Sequence, residues 1–126
     1  MVLADVDPCS RRVIGCAIEV HRTLGPGLLE CSYEACLCRE LAHAGLAFVR
    51  QQKLPVIYKG QPVDCDLKAD IIVEQAVLLE IKAVQTILPV HDAQLLTYLK
   101  VSRLQVGLII NFNEIRLTDG IRRRLL

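Results

Sequence analysis

The 126-residue chain carries 15 Lys and Arg against 14 Asp and Glu, a formal net charge of +1 that excludes nucleic-acid or membrane binding by bulk electrostatics. Hydrophobic residues make up 52% but aromatic residues only 4%, so a single domain over 1–126 is expected, with a core of Leu, Ile, Val and Ala. No apolar run reaches the roughly 20 residues that cross a bilayer, and Asp5, Asp7 and Pro8 interrupt the segment where a signal peptide would be apolar, so a cytoplasmic protein without membrane contact is expected.

Asp7 and Pro8 form a helix start, an acidic cap followed by proline at the first helical position. Val13, Cys16, Ala17, Val20 and Leu24 then recur at helical spacing until Gly25-Pro26-Gly27 stops the pattern. A second helix is expected from Leu28 to Ala44, with Leu29, Tyr33, Cys36, Leu37, Leu41 and Ala44 on its apolar side and Gly45 closing it. From Ala47 to Val84 the sequence turns β-branched, with Lys59-Gly60 and Glu74-Gln75 as turns, which predicts a three-stranded meander. Pro89 opens a third helix, "PVHDAQLLTYLKVSR", with Val90, Ala93, Leu95, Leu96 and Leu99 toward a core. The almost wholly apolar "LQVGLIINF" reads as a strand buried on both faces, and the tail predicts an edge strand near Ile115 and a short basic end. The order α, α, β, β, β, α, β is that of helices packed on a mixed sheet.

Six cysteines sit in this chain, and only Cys36 and Cys38 are close in sequence, at a spacing unlike that of zinc sites. Helix and sheet packing is the expected role in a reducing compartment, ahead of an iron-sulfur carrier.

The stretch "LKADIIVEQAVLLEIKAV" breaks its aliphatic pattern with Asp70, Glu80 and Lys82. If the turn centres near Gln75, residues whose numbers sum to about 150 are cross-strand partners, which sets Asp70 opposite Glu80. Alternation then places Glu80 and Lys82 on one face with Asp70, while Ile71, Val73, Leu79 and Ile81 fill the other. Opposed carboxylates repel in a sheet built only for stability, and a divalent cation removes the conflict. Hard oxygen ligands with a lysine beside them suit phosphodiester hydrolysis, the lysine orienting water or neutralising charge in the transition state. The same three residues could also be surface charges of a hairpin, with Glu80 and Lys82 a same-face ion pair worth ~0–1 kcal/mol.

Asp70 followed by Glu80-Ile81-Lys82 resembles the D-x(n)-E-x-K core of the PD-(D/E)XK nuclease superfamily, with Ala69 in place of the proline expected before the aspartate. The predicted element order resembles its α-β-β-β-α-β core, which implies an α/β, restriction-endonuclease-like fold with an extra N-terminal helix and a mixed sheet. In "GLLECSY", Gly27, Glu30 and Tyr33 fit the pattern G-x-x-E-x-x-Y, and with "EVHRTLGPG" before it the chain resembles the family named GxxExxY after that pattern. "QLLTY" places Gln94 and Tyr98 in the Q-x-x-x-Y pattern of RecB-type nucleases, one helical turn apart.

The resemblance implies a Mg²⁺-dependent (or Mn²⁺-dependent) nuclease acting on DNA. Asp70, Glu80, Lys82 and Glu30 would be catalytic, and Asp70, Glu80, the Ile81 carbonyl and Glu30 would surround the metal. Gln94, Tyr98, Tyr33, Arg50 and Lys68 are the expected nucleic-acid contacts. Lys53, Lys59, His91 and the Arg122–Arg124 run are further phosphate candidates, and His21 is a further ligand candidate with a ready alternative at a helix end. The competing expectation is a catalytically silent module that binds nucleic acid or protein on the same fold, and the low net charge favours it. A homodimer would widen the binding surface.

Overall fold

The computed structural model describes residues 6–126; Asp5 lies outside the described residues. Helix α1 (Pro8–Leu24) starts where the cap predicts, with the Asp7 carboxylate accepting the Ser10 backbone N–H at 2.9 Å. Val13, Ala17 and Val20 are buried, whereas Leu24 is exposed at the helix end. Helix α2 (Glu30–His43) begins two residues later than predicted because Leu29 is extended. It ends in a Schellman motif: the Gly45 N–H donates to the Ala42 carbonyl and the Leu46 N–H to the Leu41 carbonyl, both at 3.0 Å, with Gly45 at φ +76°. Its buried stripe is Tyr33, Glu34, Leu37, Cys38 and Leu41, rotated from the predicted one so that a glutamate lies in it and Leu29 and Ala44 do not.

The meander consists of β1 (Phe48–Leu54), β4 (Leu67–Val73) and β5 (Val77–Lys82), antiparallel in that order. The Lys59-Gly60 turn forms as expected but closes a separate ribbon of β2 (Ile57–Tyr58) and β3 (Gln61–Pro62), so it joins no two strands of the main sheet. Helix α3 (Pro89–Ser102) carries the chain back to β6 (Val106–Asn111), which pairs in parallel with β5. The sheet order is β1-β4-β5-β6-β7, with β7 (Ile121–Leu125) antiparallel to β6.

The expected edge strand near Ile115 is not formed; Ile115 is exposed and a 3-10 turn at Leu117–Gly120 follows. The basic end is the edge strand instead. Its side chains alternate between acids on opposite sides of the sheet: Arg122 and Arg124 reach Asp92 at 3.4 and 3.0 Å, and Arg123 reaches Asp7 at 3.2 Å. A run read as phosphate contacts is thus occupied inside the protein.

Helices α1 and α2 cover one face of the sheet, over Ile71, Val73, Leu79, Ile81, Leu108 and Ile110. Helix α3 covers the other, where Leu95, Tyr98 and Leu99 pack with Leu78 and Ile109. β6 is therefore buried on both faces, as its apolar run predicts. Gly107 lets Leu95 of α3 seat directly on β6, since a Cβ there would lie 2.8 Å from the Leu95 Cδ1 methyl, which would have to shift.

Strands β1 and β4 do not keep one face each. Phe48 packs under α1 and α2 but Leu54, an even number of residues on, packs under α3; Ile71 and Val73 lie on the first side, Ala69 and Leu67 on the second. Side chains on a regular strand would hold one side. Pairing is regular up to Arg50–Ile71 and resumes at Gln52–Ala69, and between them stand Gln51, at φ +55°, and Asp70. Both strands switch faces at the same step. Among the described residues no helix is long and apolar enough to cross a membrane.

Candidate active site

The Glu74-Gln75 turn, both residues at positive φ, sets the β4–β5 register at Ile71–Leu79, Ile72–Leu78 and Val73–Val77, pairs that each sum to 150 as predicted. Past Ile71 the ladder gives way to a side chain: Asp70 Oδ2 accepts the Ile81 backbone N–H at 2.7 Å. This bond fixes the aspartate against β5, next to Glu80.

Glu80 lies on the α3 side, between Leu78 and Lys82, and is 5% exposed. Its Oε1 is buried with no hydrogen-bond partner. Burial, the Asp70 charge and a hydrogen bond to Asp70 push its carboxyl up to about 9, and the Lys82 ammonium opposes the rise. At neutral pH Glu80 therefore keeps its proton. A buried carboxyl oxygen without a partner, beside a second carboxylate and a lysine, fits a hard divalent cation.

The segment after Lys82 is clamped by Asn111, which is fully buried on β6. Asn111 accepts the Val84 N–H at 3.0 Å and donates to the Val84 carbonyl at 2.9 Å, while the Lys82 carbonyl accepts the Phe112 N–H at 2.9 Å. These bonds hold the strand exit that carries Lys82.

On α3, Gln94 donates from Nε2 to the Tyr98 hydroxyl oxygen at 3.2 Å, as their shared face predicts. Burial, then the charges of Glu80 and Asp70, raise the Tyr98 phenol above its ordinary value, so the hydroxyl keeps its proton beside the carboxylates. The Gln94-Tyr98 pair and the strand residues are thus brought together.

Other expected residues lie elsewhere. Glu30 is exposed in the first turn of α2, and among the described residues no third acidic side chain joins Asp70 and Glu80 in a metal-holding group. Tyr33 is fully buried, stacked on Phe112 at 4.5 Å, with its hydroxyl donating to the Gly25 carbonyl at 2.6 Å and accepting the Leu28 N–H at 3.1 Å. It buckles the loop between α1 and α2 and offers no surface to nucleic acid. Arg50 donates from Nε to Glu34 at 2.5 Å, so its charge is already engaged. His21 is bonded to the Glu114 carbonyl at 2.6 Å, and His91 Nδ1 accepts the Leu88 N–H at 2.9 Å at the start of α3. Lys68 is exposed on β4, directly opposite Lys53 on β1.

Two residues escaped the sequence reading. Glu34 is 7% exposed and is held by Arg50 and by Gln51, whose amide also reaches Asp70. Glu34 shares helical spacing with Leu37, Cys38 and Leu41, and a glutamate in an apolar stripe is the signal that could have found it. Gln51 carries no such signal. The six cysteines are unbridged, three of them partly buried against the core of α1 and α2 and Cys38 within it.

Acidic residues on adjacent antiparallel strands, a lysine two residues on, and helices flanking a five-stranded mixed sheet define a restriction-endonuclease-like nuclease fold. A family model described as PD-(D/E)XK nuclease superfamily matches residues 7–124, and the chain belongs to that superfamily. Its members are nucleases that generally use divalent metals, so a nuclease assignment and a nucleic-acid substrate follow. No curated protein and no solved structure matches the chain.

Proposed function

We propose that the protein is a Mg²⁺- or Mn²⁺-dependent nuclease that hydrolyses phosphodiester bonds of DNA, in the GxxExxY branch of the superfamily and with a RecB-type Q-x-x-x-Y element. The observation that carries this reading is the buried, partnerless Glu80 oxygen beside Asp70, with Lys82 on the same strand face. Asp70 and Glu80 would hold the cation. The Ile81 N–H is directed to Asp70, and an extended residue directs its carbonyl to the same side, which supports that carbonyl as a further ligand. When bound, the cation polarises the phosphodiester and offsets the charge that develops on it.

Lys82 orients the attacking water and neutralises developing charge. Hydrolysis forms a bond from the water oxygen to phosphorus and breaks one phosphorus–oxygen ester bond, with the water proton passing to the leaving oxygen. Tyr98 accepts a hydrogen bond from Gln94, leaving its own O–H to donate to a phosphate oxygen. Lys53 and Lys68, exposed and opposed across β1 and β4, would be favoured by a phosphate between them, since like charges directly opposite destabilise a sheet.

Calorimetric titration of Mn²⁺ into the wild type and Asp70→Ala, with labelled single- and double-stranded DNA incubated alongside, tests the reading. Binding and cleavage by the wild type, both lost in the variant, are the expected result. A folded wild type that binds no Mn²⁺ overturns it and leaves a nucleic-acid-binding module on a nuclease fold.

A further inference from the structure

Gln51 occupies an exposed position, yet it adopts φ +55°, a left-handed conformation that costs a non-glycine residue about 1–2 kcal/mol. What the conformation achieves is visible in its side chain. The Nε2 group donates to both oxygens of Glu34, at 3.0 and 3.2 Å, and to Asp70 Oδ1 at 3.4 Å. Glu34 is buried in the apolar stripe of α2, where an unpaired carboxylate would be costly, and Arg50 and Gln51 supply its partners. The other Asp70 oxygen accepts the Ile81 N–H. Both oxygens of Asp70 are thereby held by donors on different strands, at the step where β1 and β4 switch faces.

We propose that Glu34 and Gln51 are positioning residues: Glu34, anchored by Arg50, aims the Gln51 amide, which with the Ile81 N–H fixes the plane of the Asp70 carboxylate beside Glu80. The consequence for metal affinity rests on the nuclease reading above; the positioning itself does not. If Gln51 only satisfied Glu34, its loss would leave the Asp70–Ile81 bond untouched.

Gln51→Gly in the full chain keeps the left-handed backbone and removes the amide. Circular dichroism establishes folding, amide hydrogen exchange at Ile81 is read by NMR without metal, and Mn²⁺ is then titrated by calorimetry. The expected result is Ile81 exchange faster by roughly tenfold or more, with the Val77–Leu79 amides unchanged, and Mn²⁺ affinity lowered about 10–100-fold, the usual effect of losing a partner of a metal ligand. Gln51→Asn keeps an amide one methylene too short to reach both carboxylates and gives the same pattern, which covers a Gln51→Gly protein that fails to fold. Wild-type exchange at Ile81 in either folded variant overturns the proposal. If the wild type binds no Mn²⁺ but Ile81 exchange still responds to Gln51, the nuclease reading falls and the positioning role stands.

Discussion

Glu80 holds its proton through neutral pH because its burial beside Asp70 makes a second negative charge there costly. The folded carboxyl titrates near 9 against an ordinary value of 4.5, so between these two pH values the folded chain binds more protons than the unfolded one. The stability this contributes is complete below pH 4.5 and is lost as pH rises toward 9, with a slope of up to about 1.4 kcal/mol per unit. Glu80→Gln should flatten that slope and be the more stable protein at pH 8 without metal, as urea unfolding at pH 5, 7 and 9 would measure. A cation must displace the same proton, so Mn²⁺ affinity of the wild type should climb over the same interval.

At the scale of elements, α3 carries Gln94 and Tyr98 to the carboxylates, and its distance from the sheet is set by Gly107 under Leu95. Gly107→Val forces Leu95 off its seat and should cost about 1–3 kcal/mol by urea unfolding, with weakened Mn²⁺-dependent cleavage as Tyr98 lifts away. What the sequence discloses of these elements follows from how local the cause is. The Glu74-Gln75 turn fixes a register that can be counted, which is why the pairs summing to 150 were legible as far as Ile71–Leu79. The Asp70–Glu80 pair expected next is replaced by the Asp70 side chain accepting the Ile81 N–H, at the step where β4 loses its alternation. Gln94 and Tyr98 were legible because helical spacing alone joins them. The roles of Glu30 and Glu34 were not separable without knowing that α2 starts after an extended Leu29, which rotates its buried stripe. Arg122–Arg124 read as free charge because their acids, Asp92 and Asp7, are distant in sequence. Nothing local to Tyr33 discloses that its buried hydroxyl ties down the loop between α1 and α2, because the groups it bonds, Gly25 and Leu28, come close only once that loop has folded.

Across the whole molecule, one sheet serves two apolar layers, and its outer strand β7, which puts Ile121 into the core, is tied to α3 and α1 by arginines. Asp92 takes two of them, with Arg122 and Arg124 each more than a third exposed, so these pairs are screened and worth ~0–1 kcal/mol apiece. Asp92→Ala should therefore lower stability by about 1 kcal/mol, hasten exchange of the β7 amides, and lose most of its effect in 1 M salt. The shared face switch at Gln51 and Asp70 has a different reach. The link from β1 to β4, residues 55–66, turns tightly at Lys59-Gly60, but the ribbon pairs Ile57–Pro62 and Tyr58–Gln61 run two residues out of step with Leu54–Leu67, so that turn alone does not dictate how the two strands align. Sliding one strand by a single residue would separate the two switch points and turn apolar side chains to the wrong layer on one side of the crossing. In the native alignment the two switch points coincide where the aspartate sits, so pairing these strands properly also puts one member of the carboxylate pair in place.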